Sequence, residues 1–181
     1  MLYDLASHHV DLARYLLGRE IVRVSATHVA ADDGERVAVS GEIAGGVLWS
    51  ATWASGTIDD EVVELTGTEG AIRLSRYEAL TLVHRGRSVP GATTRLMRAL
   101  PTPDGVAFAL AKRRAPWHDP SFAAALDSFV KAAHDNRAAV PGVDEGWHSA
   151  RVIDAIAEAA RTARTVALDT PARARMDSAD S

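Results

Sequence analysis

The first eighteen residues carry apolar positions with the period of an amphipathic helix. The apolar side chains that recur on one face are Leu5, Leu12 and Leu16. Gly18 follows the last of them and is typical of a helix end, because glycine adopts the left-handed conformation without steric cost. The pattern therefore predicts a helix over residues 1–18 that buries this leucine stripe.

After Gly18 the hydrophobic pattern changes to a period of two, which is typical of β-strands. The runs that read as strands cover residues 20–30, 36–43, 46–55, 61–66, 71–74 and 80–84. Turn signals such as Asp32-Asp33-Gly34 and Gly45-Gly46 separate them, and short connections of this kind join antiparallel strands. The chain is therefore predicted to form an antiparallel meander of about six strands.

Two helices are predicted to close the chain. Asp119 and Pro120 provide an N-cap and a first helical residue for one of them, and Asp144 is placed to cap the other. Residues 165–168 are predicted to add a last short strand. The small and polar residues at 171–181 predict a disordered tail.

Between the strands and these helices, residues 86–119 have no steady period and contain Pro90, Pro101, Pro103 and Pro116. One short helix is predicted near residues 106–111. An irregular stretch of this length is uncommon and is consistent with either a surface insertion or a mobile lid. His118, at its end, is predicted either to contact substrate from this stretch or to anchor the loop.

The order of the elements, one helix, a run of strands and two helices, is typical of the α+β class. It predicts an open, mainly antiparallel sheet of about six strands with helices packed on one face. Trp49 and Trp53 stand on the same side of one predicted strand. They either form an exposed patch for subunit contacts or lie under the helices in the core.

The composition narrows the classes of function. The 181 residues are 47% hydrophobic and 24% charged, which is ordinary for a soluble globular domain. A net charge of −4 argues against a nucleic-acid partner, and no apolar run resembles a membrane span or a secretory signal. The absence of cysteine removes thiolate metal sites and cysteine nucleophiles, and makes a cytoplasmic location the expectation.

Asp4, His8 and Asp11 give the predicted N-terminal helix its chemical character. At about 100° per residue, these side chains fall within roughly 60° of one another around the helix. Such a stripe is consistent with a substrate site, with a capped and salt-bridged surface helix, or with a divalent metal site. His9 points about 100° away from His8 and is predicted to be structural. Because no strand precedes the helix, the chain is expected to be the later part of a larger enzyme.

This helix and three later segments resemble the C-terminal domain of Gfo/Idh/MocA proteins, the family of glucose–fructose oxidoreductase and inositol dehydrogenase. Residues 2–18 are similar to the helix that opens that domain, and residues 62–74 to its "strand, G-x-x-G, strand" signature. Residues 122–140 resemble its next helix, and residues 143–168 its terminal helix and closing strand. The resemblance predicts a single domain over residues 1–170.

The resemblance implies that this domain builds a substrate pocket and an oligomer interface. It implies catalytic roles for Asp4 and His8, in which His8 exchanges a proton with the substrate hydroxyl as hydride leaves the same carbon. Asp4 would orient His8 or bind a neighbouring hydroxyl, and Asp11 would hold the helix or bind substrate. The implied substrate is a sugar, inositol or related polyol, with His118 as a further predicted substrate contact.

The resemblance also implies NAD or NADP as the cofactor of the complete enzyme, bound by an N-terminal Rossmann domain. This sequence has no glycine-rich turn after a first strand and no Glu-Lys-Pro motif, and its only lysines are Lys112 and Lys131. The chain alone is therefore expected to bind no dinucleotide and to need a Rossmann domain in cis or in trans. The predicted function is a substrate-binding and oligomerisation domain of a homo-oligomer. The alternative is a non-catalytic module that binds a polyol or a protein partner.

Overall fold

A computed structural model describes residues 2–57, 61–75, 82–85 and 120–169, with single helical positions at 106, 110, 113 and 114. Two compact units are present, one formed by Met1–Thr57 with Phe129–Ser181 and the other by Ile58–Ser128. The predicted tail and His118 lie outside the described residues. So does the irregular stretch at 86–119 with its predicted helix, apart from the four single positions.

The N-terminal helix of the first unit begins with a π-helical turn, Leu2–Ala6, and continues as α1, Ser7–Leu17. Gly18 ends α1 in the left-handed conformation at φ 60°, so the predicted helix end is confirmed. The sequence pattern did not predict the π-helical start. A π turn closes its hydrogen bonds over five residues, so the angular positions in Leu2–Ala6 differ from those of a regular α-helix.

The buried face of this helix is not the leucine stripe. Leu5, Leu12 and Leu16 are 43%, 36% and 42% exposed. The positions that are buried are Ala6, Val10 and Arg14, at spacing i, i+4 and i+8. The predicted burial of the leucines was therefore wrong. The opposite face packs inward because Arg14 finds charged and polar partners on other elements of the same unit.

The sheet of the first unit consists of Ile21–Ala31 (β1), Gly34–Ile43 (β2), Val47–Ala54 (β3) and Val166–Ala167 (β7). These strands are antiparallel and lie in the order β3-β2-β1-β7. The register aligns Ser25 with Ser40, and Ser40 with Ser50. The hairpins predicted at the first two turns and the short closing strand are confirmed.

Two glycines allow the β1–β2 turn to pack against the end of β3. Gly34 has φ 139° and Gly56 has φ 73°, conformations that other residues rarely adopt. A Cβ atom at Gly34 would collide with the backbone of Ser55, and one at Gly56 would collide with the carbonyl oxygen of Asp33. This contact therefore requires glycine at both positions.

The second unit contains three antiparallel strands, Val62–Gly67 (β4), Gly70–Ser75 (β5) and Leu82–Arg85 (β6). They pair in the order β4-β5-β6, and Gly67 lies opposite Gly70 across a tight turn. These are the last three strands of the predicted meander.

Two longer helices follow, Pro120–His134 (α2) and Val143–Thr162 (α3). Pro120 is the first residue of α2, as predicted. The predicted cap of α3 was wrong, because Gly142 is its N-cap and Asp144 lies inside the first turn. Glu145 performs the capping instead: its Oε2 accepts a hydrogen bond from the backbone N–H of Gly142 at 2.7 Å. Glutamate at this third helical position reaches back to the N-cap, whereas the shorter Asp144 is one position too early.

The hydrophobic core of the first unit lies between one face of its sheet and the helices α1 and α3. The most deeply buried large side chains are Val10, Val24, Ile43, Ile153 and Ile156. Burying each of them contributes about 1.5–3 kcal/mol. Trp53 is 6% exposed and Trp49 packs against the same cluster, so the two tryptophans belong to the core and form no subunit patch. The α+β class and the antiparallel strands are confirmed.

Candidate functional site

Asp4 and His8 lie on the solvent-facing side of the N-terminal helix. Asp4 belongs to the π-helical turn and His8 to the first turn of α1, and both are exposed. Within the part of the chain that the structure describes, neither side chain makes a hydrogen bond or an ion pair. The backbone carbonyl oxygen of Asp4 accepts a hydrogen bond from Ser7 Oγ at 2.9 Å, which leaves the Asp4 carboxylate unengaged by any described residue. Both functional groups are therefore open to a ligand.

The leucine stripe defined above adjoins these two groups. Leu5 and Leu12 stand three and four residues from His8, spacings that make side chains neighbours on a helix surface. Tyr15 lies on the same exposed side and is 81% exposed. His8 is therefore displayed beside uncovered apolar surface rather than inside a finished pocket.

A buried arginine on the other side of α1 organises a polar cluster that the sequence analysis did not predict. Arg14 is 8% exposed, and its Nε and Nη2 donate to the two carboxylate oxygens of Glu20 at 2.7 and 2.9 Å. This paired geometry is the strong form of an arginine–carboxylate contact. It compensates the cost of removing the guanidinium charge from water.

The third nitrogen of the same guanidinium connects α1 to α3. Arg14 Nη1 donates to the Glu145 carbonyl and to Ser149 Oγ, both at 3.1 Å, and lies 3.4 Å from Asp11 Oδ1. Ser149 Oγ in turn donates to the same Asp11 oxygen at 3.3 Å. We call Asp11, Arg14, Glu20, Glu145 and Ser149 the Arg14 cluster. Asp11 thus helps to hold the helix while its side chain remains 46% exposed.

Two further contacts attach the start of this helix to the first unit. The Tyr3 hydroxyl donates to Asp154 Oδ1 of α3 at 3.1 Å, and this hydrogen bond to a carboxylate raises the pKa of Tyr3. The indole N–H of Trp53 donates to His9 Nδ1 at 3.1 Å. His9 therefore lies against a core side chain and has the structural position that the sequence predicted.

The first turn of α3 carries a negative charge that depends on helix capping. Hydrogen bonds from the backbone N–H groups of Gly142 and Glu145 hold the pKa of the Glu145 carboxyl below its ordinary value of 4.5. An anion at a helix N-terminus also interacts favourably with the helix dipole. Glu145 therefore stabilises the end of α3 that presents Ser149 to Arg14.

A shallow depression lies beside the Arg14 cluster. The residues around it are Glu20, Ile21, His148, Arg151, Val152, Leu168 and Asp169. It is open to solvent and far smaller than the range of about 300–1,000 Å³ that is usual for small-molecule pockets. Arg151 is engaged there, with its guanidinium 4.8 Å from the centre of the Trp147 ring and donating to the Asp169 carbonyl at 3.1 Å. We assign no ligand to this depression.

Asp4, His8 and Asp11 do not form a metal site in the structure. Among the described residues, no group of three or more His, Cys, Asp or Glu side chains is placed to hold a metal ion. No helix among the described residues has the length and apolar character needed to cross a membrane. The predicted substrate contact His118 lies outside the described residues.

Residues 1–168 match the sequence model of the family described as "Oxidoreductase family, C-terminal alpha/beta domain" (GFO_IDH_MocA_C), which confirms the resemblance. A search of curated proteins found no match.

Several solved structures share the fold. The aldose–aldose oxidoreductase of Caulobacter crescentus, complexed with glycerol, is 23% identical with a TM-score of 0.64, over 91% of this chain and 46% of that one. A myo-inositol dehydrogenase of Corynebacterium glutamicum is 21% identical with a TM-score of 0.58, over 94% and 50%. The WlbA dehydrogenase of Bordetella pertussis, in complex with NADH and UDP-GlcNAcA, is 17% identical with a TM-score of 0.64, over 92% and 47%. The chain spans about half the length of these structures, and identities at this level show the fold alone.

Proposed function

Because the chain belongs to this oxidoreductase family through its C-terminal alpha/beta domain, we propose that it is the substrate-binding and oligomerisation domain of an NAD(P)-dependent oxidoreductase. The proposed substrate is a sugar, inositol or related polyol. The names of the structural relatives support this class, since they include an aldose oxidoreductase with glycerol and a myo-inositol dehydrogenase.

The observation that carries the proposal is the display of Asp4 and His8 on the exposed side of the N-terminal helix, inside the segment that the family model matches. Titratable side chains that are solvent-accessible and uncommitted are free to bind a ligand. A purely structural stripe would be expected to pair its charges with neighbours, as Arg14 and Glu20 do on the opposite side. Asp4 and His8 make no such pair with another described residue.

The chemistry of these groups suits a polyol. A neutral imidazole accepts a proton from a hydroxyl group near neutral pH, which is the role that we propose for His8. A carboxylate accepts hydrogen bonds from neighbouring hydroxyls, which is the role proposed for Asp4 and for Asp11. We also propose His118 as a substrate contact, because it stands at the end of the irregular stretch 86–119 in the sequence.

Nothing among the described residues fits a dinucleotide. Pyrophosphate is usually held by a glycine-rich turn between a parallel strand and a helix. Here every described strand pair is antiparallel, and the glycine pair at Gly45 and Gly46 forms a β-hairpin where Arg19 occupies the space beside Gly45. We therefore propose that a Rossmann domain, in cis or in trans, binds NAD(P).

The uncovered leucine stripe supports such a partner domain. Apolar side chains beside a substrate site become buried when another domain closes over them, and burial of apolar area is the main favourable term in such contacts.

We extend the proposal to a homo-oligomer through the outer face of the four-stranded sheet. The row Ser25, Ser40 and Ser50 crosses three neighbouring strands on the side away from the core. The small side chains of this row leave room for close approach of a second copy in a self-complementary contact. Ser40→Glu places one negative charge per copy in the middle of this row, so a drop to monomer mass in light scattering, absent in the control Ala138→Glu at an exposed position outside the sheet, supports the interface. An unchanged mass refutes it.

The binding proposal is tested by NMR titration of the 181-residue chain with NAD⁺, NADP⁺, glycerol and myo-inositol. We expect a polyol to shift the amide signals of residues 2–17, and neither dinucleotide to do so. His8→Ala should abolish the polyol response, whereas the control His28→Ala, at an exposed position on β1, should leave it unchanged.

Tight dinucleotide binding by the chain alone would refute the proposal that NAD(P) is bound by a separate Rossmann domain. A polyol response that persists in His8→Ala would refute the site. In the complete enzyme, His8→Ala should lower kcat far more than it lowers the affinity for the cofactor. If His8→Ala weakens polyol binding but leaves kcat unchanged, the non-catalytic module is favoured.

A further inference from the structure

The Arg14 cluster adjoins the proposed substrate site at Asp11. This residue stands three positions after His8 on α1, and its Oδ1 contacts Arg14 and Ser149. Its other oxygen, Oδ2, has no hydrogen-bond partner among the described residues. The two oxygens of one carboxylate therefore have different roles.

The position of the Arg14 guanidinium is fixed from two sides. Glu20 holds one edge through two charged hydrogen bonds, and the Glu145 carbonyl accepts from Nη1 at 3.1 Å. A planar guanidinium has its five N–H groups in a fixed fork, so these contacts also fix the direction of the remaining Nη1 donor. That donor faces Ser149 and Asp11.

The Ser149 hydroxyl group connects Arg14 to Asp11. Ser149 Oγ accepts from Arg14 Nη1, so its single proton is free to point at another acceptor. The acceptor within reach is Asp11 Oδ1, at 3.3 Å. Ser149 is 6% exposed, so water does not compete readily for this proton.

Both contacts to Asp11 Oδ1 are long, so they leave the carboxylate able to accept a further hydrogen bond. The distance from Arg14 Nη1 is 3.4 Å and that from Ser149 Oγ is 3.3 Å, compared with about 2.7–2.9 Å and about 2.5–2.7 Å for strong charge-assisted bonds of these two kinds. Since Asp11 keeps 46% of its side chain exposed, Oδ2 retains the capacity to accept a hydrogen bond from a ligand.

We propose that Arg14 and Ser149 are positioning residues that hold Asp11 Oδ1, so that Oδ2 is presented to one hydroxyl group of the substrate. This inference rests on the proposed function, because it takes the polyol site at His8 as its starting point. It adds that Asp11 accepts one hydrogen bond through one defined oxygen.

The experiment compares Ser149→Ala with a matched control on the same helix. Thr162→Ala also removes a hydroxyl from α3, one that donates to the Glu158 carbonyl at 2.8 Å, far along the helix from the cluster. Two quantities are measured for the full chain: the Asp11 χ1 distribution from NMR scalar couplings, and the affinity for myo-inositol from chemical-shift titration. We expect rotamer averaging and about three- to tenfold weaker binding in Ser149→Ala, and neither change in Thr162→Ala.

The variant Asp11→Asn tests the presented oxygen of Asp11 without removing the contacts that hold this side chain in the fold. The amide keeps one oxygen for Arg14 and Ser149 and replaces the presented oxygen with a donor group. We expect the fold and a single rotamer to persist while myo-inositol binding weakens as much as in Ser149→Ala. Wild-type affinity in Asp11→Asn would overturn the inference and leave Asp11 a purely structural residue.

The outcomes distinguish this inference from the proposed function. If the wild-type chain binds myo-inositol and Ser149→Ala changes neither the rotamer distribution nor the affinity, the positioning role is refuted and the site stands. If no polyol perturbs the wild-type helix, the proposed site itself is refuted, whatever the Asp11 rotamer does, and the positioning role falls with it.

Discussion

Replacing Glu20 with glutamine should show how much stability the buried arginine pair provides. Glu20→Gln keeps the size of the side chain and one acceptor oxygen. It removes the negative charge and turns an amide N–H₂ toward one of the two guanidinium nitrogens that lie 2.7 and 2.9 Å from the carboxylate. Arg14, at 8% exposure, then stays charged in a site where its main counter-charge is missing.

The expected loss follows from three magnitudes. Breaking a fully buried pair by removing one partner costs about 3–5 kcal/mol. A hydrogen bond to a charged group contributes about 1.5–3 kcal/mol. Glu20 is 21% exposed and the Asp11 carboxylate remains 3.4 Å from the guanidinium, so part of the cost is recovered. The free energy of unfolding should therefore fall by about 2–3 kcal/mol, which lowers Tm by about 4–12 °C for a chain of this size.

The assay is thermal unfolding followed by circular dichroism, with Asp33→Asn as the control. Asp33 and Arg36 form the same two-bond geometry, at 2.6 and 3.1 Å, but their side chains are 65% and 39% exposed. Removing that exposed pair should leave the midpoint within experimental error, because exposed ion pairs contribute little. If Glu20→Gln lowers the midpoint no more than Asp33→Asn does, burial does not strengthen the Arg14 pair and the argument fails.

Three further predictions concern other parts of the first unit. Capping lowers the pKa of Glu145 below 4.5, so its stabilising contribution is complete above that pH and is lost as the pH falls through the lowered value. The Tm difference between wild type and Glu145→Gln should therefore shrink between pH 7 and pH 3. A difference independent of pH would contradict the capping role. Gly56→Ala should destabilise the β1–β2 turn in urea unfolding because its Cβ would collide with the Asp33 carbonyl oxygen, whereas Gly146→Ala, which meets no atom within 4 Å, should not; equal effects would refute the close approach. Ile156→Ala removes a fully buried side chain and should cost about 2–5 kcal/mol in the same assay, and a loss below about 1 kcal/mol would mean that the core is not packed there.

Local sequence signals predicted the boundaries of elements better than their faces. Gly18 and Pro120 mark a helix end and a helix start because their backbone preferences act within one turn. The choice of the buried face of α1 is different, since it depends on Ser149 and Glu145, more than 130 positions away in the sequence. Leucine periodicity alone could not reveal that a face carrying Arg14 packs inward.

The candidate site shows the same division. The spacing of Asp4, His8 and Asp11 predicted that they share one helix, and the structure places all three on the π-helical turn and α1. Spacing alone could not predict that the Asp4 and His8 side chains pair with no described residue, whereas Asp11 contacts the buried Arg14. The local hint was an arginine three residues after Asp11 and four after Val10, but its burial depends on Glu20 and Ser149 as partners.

The division of the first unit between the two ends of the chain has a consequence for its synthesis. The β1–β2–β3 hairpins are local and can pair as soon as they leave the ribosome, but α3 and β7 follow only after residue 142. At about 5–20 residues per second, that interval lasts on the order of ten seconds. Throughout it, the sheet face that carries Val24, Ile43 and Trp53 has no α3 to cover it. Residues 21–54 therefore expose an apolar sheet face until α3 has been made, and premature stops after β3 should yield aggregating rather than folded fragments.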